Sequence, residues 1–169
     1  MPEWPADPMR RSVMFMLVRL ERLNDELLTA ACSRRGVSNA EFRVLAVLRH
    51  GAPGEPVRPT TISRWIVQST GGLTSTLGRL EDQGRIERIP DPGDGRGRLV
   101  SLTQEGANFY DGLLSEIEAE YAAVLEGIDT AAMASVLAPV VAAMEKRGGH
   151  AESGVERLSS GLLAHGVRK

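Results

Sequence analysis

The most informative stretch of the chain covers residues 69–103 and reads STGGLTSTLGRLEDQGRIERIPDPGDGRGRLVSLT. Its first part has leucines at helical spacing behind small hydroxyl residues, which predicts a helix that Ser69 or Thr70 caps. Two runs typical of strands follow, Arg85–Ile89 and Arg98–Leu102, and two prolines, three glycines and two aspartates stand between them. That composition favours a turn, so the stretch predicts a helix followed by a β-hairpin with a flexible tip.

Helical patterns also precede this stretch. Apolar residues recur at helical spacing from about Met9 to Arg35, after which Gly36 predicts a C-terminal cap. The run Ser38-Asn-Ala-Glu41 is a capping box that begins a second helix, and Thr60 is placed to cap a short third one. Because the third and fourth helices are short and close together, we interpret residues 60–82 as a helix-turn-helix.

Two further helices are predicted after the hairpin. Thr103 begins the first and Asp129 or Thr130 begins the second, in which Pro139 predicts a kink. The first helix of the chain is roughly 40 Å long at 1.5 Å per residue, more than a small core needs, so we expect it to pack against a second copy.

The predicted fold class is mostly α with a small β-hairpin, a winged helix-turn-helix flanked by N- and C-terminal dimerisation helices. The predicted parts are an N-terminal arm and dimerisation helix at 1–36, a DNA-binding lobe at 37–102, dimerisation helices at 103–147 and a C-terminal extension at 148–169.

Composition limits the class of protein. Of the 169 residues 25% are charged and 42% are hydrophobic, as in ordinary globular domains. No apolar run approaches the roughly 18 residues of a membrane helix, and the N-terminus lacks the features of a signal peptide. We therefore expect a soluble, cytoplasmic protein. The single cysteine, Cys32, excludes an intramolecular disulfide framework and a cysteine-based zinc finger.

Charge is unevenly distributed along the chain. The net charge is −2, which taken alone argues against a strongly basic nucleic-acid binder. From Arg58 to Arg98, however, seven arginines stand against five acidic residues. The predicted helix-turn-helix and wing are thus mildly positive, and this combination favours DNA binding.

The predicted recognition helix offers small polar side chains to DNA. Amides at a helix N-terminus favour a phosphate, small residues let the DNA backbone approach, and hydroxyl groups can bind base edges. Arginines on both helices can reach phosphates. The candidate DNA-binding residues of the two helices are Arg64, Ser69, Thr70, Gly72, Thr74, Ser75, Thr76 and Arg79.

This part of the chain resembles the multiple antibiotic resistance regulator (MarR) family of bacterial transcription factors. The resemblance is carried by Gly71-Gly-Leu-Thr74, Arg79-Leu-Glu81, Gly84, Glu87-Arg88, Asp91-Pro92, Asp94-Gly-Arg96, Leu99-Val-Ser-Leu-Thr103 and Gly106. It extends more weakly from about Met9 to Lys146.

The resemblance implies a homodimer whose recognition helices enter the major groove of a pseudo-palindromic operator. It also implies that the wing reaches the adjacent minor groove, where Asp94 orients Arg96 at the wing tip and Arg98 lies beside it. An arginine suits a narrow, electronegative minor groove, and a nearby carboxylate can hold its side chain. The implied function is a repressor that responds to a small aromatic or lipophilic effector.

Two positions depart from the family pattern. Many relatives have arginine where this chain has Gly95, and many have arginine or lysine where Ser75 or Thr76 stands. We therefore expect base recognition through hydroxyl groups, methyl contacts and DNA shape, and not through an arginine–guanine pair.

Two alternatives to a ligand-controlled DNA binder stay open at this point. A winged helix can bind protein in place of DNA, and Cys32 could act as a thiol-based redox sensor, although a small buried thiol is the simpler interpretation. The aromatic residues that could line an effector cleft, or simply form the core, are Phe15, Phe42, Trp65, Phe109 and Tyr110.

Neither metal binding nor catalysis is predicted. The three histidines, His50, His150 and His165, have no ligand spacing with one another or with carboxylates. No phosphate-binding loop, paired-acid signature or nucleophile with an adjacent base occurs in the sequence. We expect no cofactor and no enzymatic activity.

Overall fold

A computed structural model describes residues 7–66 and 70–148, without the side chains at positions 70, 95, 96, 145 and 148. Helices α1 (Pro8–Arg34), α2 (Asn39–Ala46), α3 (Pro59–Ile66) and α4 (Thr70–Asp82) precede strands β1 (Ile86–Asp91) and β2 (Asp94–Leu102); helices α5 (Gln104–Val124) and α6 (Thr130–Gly148) follow. The predicted fold class and order of elements are confirmed. Most of the predicted N-terminal arm, and the extension from residue 149, lie outside the described residues.

The chain divides into two compact units, Met1–Asn39 and Ala40–Lys169. The first unit holds α1. The carboxylate of Asp7 accepts hydrogen bonds from the amides of Met9 and Arg10 at 2.9 and 3.3 Å, so the helix begins one residue before the predicted start. Gly36 follows the helix with φ +70°, which only glycine adopts without strain, and the predicted cap is confirmed.

Much of the apolar surface of α1 is exposed in the single chain. Its exposed large apolar residues are Met9, Val13, Met14, Phe15, Met16, Val18, Leu20 and Leu23. Near the other end of the chain, Val136, Val141 and Met144 of α6 are exposed as well. None of the described helices is long and apolar enough to cross a membrane.

The second unit packs around one core, to which helices and hairpin both contribute. Its buried members include Val44, Leu45, Ile62, Leu80, Ile86, Val100 and Tyr110. After α2 the chain continues in a π-helical turn, Val47–Gly51. From this turn Arg49 reaches α5, where its Nε and Nη2 donate to the two carboxylate oxygens of Asp111 at 3.0 Å each.

Helix α3 begins one residue earlier than predicted. Proline suits the first helical position, because it has no amide to satisfy there and its φ is already helical. Pro59 occupies that position, and the carbonyl of Arg58 accepts from the amides of Thr61 and Ile62. Thr60 therefore lies inside the helix, and the prediction that it caps α3 is wrong.

The hairpin is longer and its turn tighter than predicted. The strands extend to Asp91 and from Asp94, which leaves only Pro92 and Gly93 as the turn. Pro90 pairs with Arg98 and Asp91 pairs with Asp94, so residues 95–97 have no partner on β1. The predicted eight-residue connector is therefore a two-residue turn followed by a three-residue bulge in β2.

Two sets of hydrogen bonds join the hairpin to the helices near its base. The amide and carbonyl of Val57, just before α3, pair with Val100 of β2 at 2.8 Å each. At the base itself, the hydroxyl of Thr103 accepts from the Gly106 amide and donates to the Gly84 carbonyl, which confirms Thr103 as the cap of α5. Asp129 caps α6 in the same way through the amide of Ala132.

Candidate nucleic-acid interface

Helix α4 has one buried face and one exposed face. Leu73, Leu77 and Leu80 are at most 3% exposed and belong to the core. On the opposite side the residues that recur at helical spacing are Gly71, Thr74, Ser75, Gly78 and Arg79. Four of these five side chains are no larger than threonine, so the helix backbone lies close to whatever covers this face.

The glycines on this face are not required by packing within the chain. A Cβ atom added at Gly71 or Gly78 would meet no other atom within 4 Å. Glycine inside a helix costs about 1 kcal/mol relative to alanine. Since no contact with a described residue offsets that cost, the glycines are suited to a close approach by an external partner.

Thr76 does not belong to the exposed face. Its side chain is 1% exposed, and its hydroxyl donates to the Gly72 carbonyl at 3.0 Å. The prediction that Thr76 offers its side chain to DNA is therefore corrected. Thr74 and Ser75 are exposed and Gly72 is partly exposed, in agreement with their predicted placement, whereas Ser69 and the side chain of Thr70 lie outside what the structure describes.

Arg79 is exposed but held within the lobe. Its Nε donates to Oε1 of Glu41 at 3.2 Å and its Nη1 to Oγ of Ser75 at 2.8 Å. Glu41 is 3% exposed at the start of α2, so the pair joins α4 to α2. Arg79 therefore stabilises the fold through these hydrogen bonds, and its contact with DNA stays a prediction.

Helix α3 contributes to the same surface. Arg64 is exposed in its last turn. A groove of about 280 Å³ separates α3 from α4 and is lined by Pro59, Thr60, Ser63, Leu73, Thr74 and Leu77. Hydroxyl groups of both helices thus border one depression beside the exposed face of α4.

The wing turn is held by a residue pair that the sequence did not predict. Oδ2 of Asp91 lies 2.8 Å from both Nε and Nη2 of Arg58, and Oδ1 accepts from the Gly93 amide at 2.9 Å. These hydrogen bonds, that of Gly93 first, lower the pKa of Asp91 below its usual value. Asp91 and Arg58 are 33 residues apart, and the sequence indicated only that Asp91 lies in the turn-favouring connector Pro90–Gly97.

The three predicted wing residues occupy the strand after this turn. Asp94 is exposed at the first position of β2. Arg96 stands in the middle of the bulge, and its side chain lies outside what the structure describes, so the orientation by Asp94 stays a prediction. Arg98 is exposed, and among the described residues its side chain forms neither a hydrogen bond nor an ion pair.

Ion pairs reduce the positive charge that this lobe can offer. Arg58, Arg79 and Arg88 each have a carboxylate partner within the lobe, at 3.2 Å or less. The count of seven arginines in the sequence therefore overstates the positive electrostatic potential at the surface of the lobe. Electrostatic attraction of phosphates by this lobe is expected to be modest.

Most of the aromatic residues considered for an effector cleft belong to the core. Tyr110 is 2% exposed, stacks on Phe42 at 5.4 Å and meets the ring of His50 edge-on at 5.3 Å. Burial raises the pKa of the Tyr110 hydroxyl well above its usual value. Trp65 and Phe109 pack against the same core, whereas Phe15 is 64% exposed on α1.

The remaining candidates are a thiol and the histidines. Cys32 is fully buried in the last turn of α1, which favours a structural role over a reactive one. His50 is buried, and His150 and His165 lie outside the described residues. Among the residues that are described, no cluster of three histidine, cysteine or carboxylate side chains could hold a metal ion.

Known proteins share this arrangement of helices and wing. The model of the MarR family matches residues 35–97, from the end of α1 into the wing. The transcriptional regulator PecS of Dickeya dadantii is 32% identical over 115 residues, which are 68% of either chain. This chain belongs to the MarR family.

Other MarR-family proteins extend the likeness. The multiple antibiotic resistance protein MarR of Escherichia coli is 37% identical over 83 residues, 49% of this chain and 56% of that protein. The crystal structure of a mutant of the same E. coli protein in complex with operator DNA has 26% identity and a TM-score of 0.62, over 80% of this chain and 99% of that one. The MarR-family fold thus extends over most of the chain, beyond the matched sequence segment.

Proposed function

We propose that this MarR-family regulator is a homodimer that represses transcription by binding a pseudo-palindromic operator. The observation that carries the proposal is the exposed face of α4, where small and hydroxyl-bearing residues lie in the same lobe as a wing with an exposed Arg98. A small-sided helix suits the major groove, and wing arginines suit the minor groove beside it. E. coli MarR, whose operator complex is known, has the same fold.

The exposed apolar surface supports the dimer. A monomer seldom leaves so many large apolar side chains in water, and here eight stand on α1 alone. Two copies joined through such helices present two α4 helices, and a spacing of about 34 Å between them matches successive major grooves. We propose that the protein acts in the cytoplasm, by binding and not by catalysis.

Control by a small aromatic or lipophilic effector is part of the proposal. An effector releases DNA only if it binds the geometry that does not fit the operator more tightly than the one that does. Operator DNA must then weaken effector binding by the same factor. Gel shifts with a panel of aromatic acids, and thermal melting of the protein with each acid, test both halves of this coupling.

The decisive experiment is selection of bound duplexes from fragments of the host genome at low salt, followed by sequencing. We expect recovered fragments to share a palindromic site, and the logarithm of the affinity for that site to fall linearly with the logarithm of salt concentration. Arg96→Ala should weaken binding about tenfold without changing the dimer. Recovery of no preferred fragment would favour the alternative, a winged helix that binds protein.

The redox alternative has its own test. Cys32→Ser removes the only thiol of the chain. We expect this variant to bind the selected operator like the wild type, with and without peroxide. A peroxide response that the wild type shows and Cys32→Ser lacks would establish a thiol sensor.

A further inference from the structure

The wing bulge that carries Arg96 is bounded by a single residue pair at its outer end. Pro90–Arg98 closes the bulge on the side of the core, and Asp91–Asp94 closes it on the side of the turn. A Cβ atom at Gly97 would lie 3.1 Å from the Cβ atoms of both aspartates, so the bulge packs directly on them. The position of Arg96 along the wing therefore depends on how firmly Asp91 is held.

Arg58 holds Asp91 and links it to the helix-turn-helix. The Asp91 carboxylate is 7% exposed and engages Arg58 with one oxygen and the turn amide with the other. The backbone of Arg58 begins α3, and its neighbour Val57 is paired to β2. One residue thus joins the wing turn to the first helix of the helix-turn-helix.

We propose that Arg58 and Asp91 form a clamp that positions Arg96 of the wing for the minor groove. The inference rests on the proposed DNA-binding function. A wing arginine and a recognition helix must enter neighbouring grooves together, so their relative placement has to be set before DNA binds. The clamp sets it by tying the turn that bounds the bulge to the start of α3.

If Arg58 instead contacts DNA phosphate directly, the substitution Asp91→Asn should change DNA affinity in the opposite direction. The Arg58 side chain is 58% exposed, so it could simply attract phosphate. In that case Arg58→Met weakens binding, whereas Asp91→Asn strengthens it, because it removes a negative charge from the lobe. The clamp predicts that both substitutions weaken binding, since each breaks the same pair. The amide side chain introduced by Asp91→Asn keeps an oxygen for the Gly93 amide, so this variant tests the ion pair and not the turn.

The first experiment measures the affinity of the full-length protein for the duplex recovered by genomic selection. We expect Arg58→Met and Asp91→Asn each to weaken binding about threefold to tenfold, and Arg58→Lys to recover part of the loss. Combined with Arg96→Ala, neither substitution should weaken binding further, because the clamp acts through Arg96. Asp82→Asn is the matched control: it removes one negative charge at the end of α4, where the Asp82 side chain bonds to no described residue, and binding should stay equal or tighten.

A second experiment uses no DNA, so its result separates failure of the clamp from failure of the proposed function. Hydrogen exchange followed by NMR should show faster exchange of the Gly93 amide in Arg58→Met than in the wild type, with α3 and α4 unchanged. Unchanged Gly93 exchange overturns the clamp, as does tighter binding by Asp91→Asn. Additive losses with Arg96→Ala also overturn it and establish Arg58 as an independent phosphate contact.

Discussion

Thr74 and Thr76 lie two residues apart on α4 and face opposite sides of the helix. Thr74 is exposed, whereas Thr76 is buried and bonds to a carbonyl of its own helix. The spacing contained the signal for this difference, because Thr76 stands three residues after Leu73 and four before Leu80, on the core stripe. Residue type alone, which favoured every hydroxyl near the helix start, could not separate the two.

Replacing each threonine by valine separates stability from DNA binding. Thr76→Val removes a buried hydroxyl with a helix carbonyl as partner, so we expect a change in unfolding free energy of about 1 kcal/mol or less and unchanged operator affinity. Thr74→Val should leave the unfolding free energy unchanged and weaken operator binding severalfold. Urea denaturation and gel shifts measure the two quantities. A loss of affinity in Thr76→Val with full stability would return Thr76 to the interface.

Arg79 has a structural role beside its proposed role in DNA binding. Arg79→Ala leaves the buried Glu41 without one of its hydrogen-bond donors, and we expect the unfolding free energy to fall by about 1–3 kcal/mol. Arg98→Ala, at an exposed site without an ion pair to any described residue, should leave stability unchanged while it weakens DNA binding. Equal stability of the two variants in urea would contradict the structural role of Arg79.

At the scale of elements, Gly78 and Gly106 both lie in helices, but the space around them differs. Gly78 faces open space on α4, whereas a Cβ atom at Gly106 would come within 2.0 Å of the Arg85 carbonyl. The first turn of α5 can lie against the base of the wing only because position 106 has no side chain.

Alanine at these two positions should therefore act in opposite directions. We expect Gly78→Ala to raise the unfolding free energy by about 0.5–1 kcal/mol and to weaken operator binding, since a methyl group keeps DNA further away. Gly106→Ala should lower the unfolding free energy by about 1–3 kcal/mol or more, because the backbone must move. Thermal and urea unfolding measure the change in unfolding free energy of both variants. A Gly78→Ala variant with higher stability and unchanged DNA affinity would remove α4 from the interface.

The elements were largely predictable, and the contacts between them were not. Caps and turns are local, so Gly36 predicted where α1 ends, Thr103 predicted where α5 begins, and the connector Pro90–Gly97 predicted the reversal of the hairpin, although its turn is shorter. The pairs Arg58–Asp91, Arg79–Glu41 and Arg49–Asp111 join residues 33, 38 and 62 positions apart. Only the fold brings such residues together, so the wing clamp and the anchored role of Arg79 could not be predicted from the sequence.

At the scale of the whole molecule, dimerisation depends on apolar residues that the single chain leaves in water. Leu20 is 48% exposed in the middle of α1, whereas Arg22 forms an exposed ion pair with Glu26 on the opposite side of the helix. We expect Leu20→Glu to shift the protein to monomer and abolish operator binding at nanomolar concentration. Arg22→Glu introduces the same side chain on the side of the helix opposite Leu20 and should remain dimeric. Analytical ultracentrifugation distinguishes the two outcomes, and a dimeric Leu20→Glu would place the interface elsewhere.

The bare face of α4 also makes the protein a starting point for altering promoter choice. Positions 71 and 78 have space for a longer side chain, and neither glycine is needed for packing. An arginine there could grip a guanine with two hydrogen bonds and add about 1–3 kcal/mol of discrimination between bases. Gly78→Arg gives up the close approach of the helix backbone to the present operator but raises helix propensity, so we expect it to exchange one operator preference for another without loss of stability.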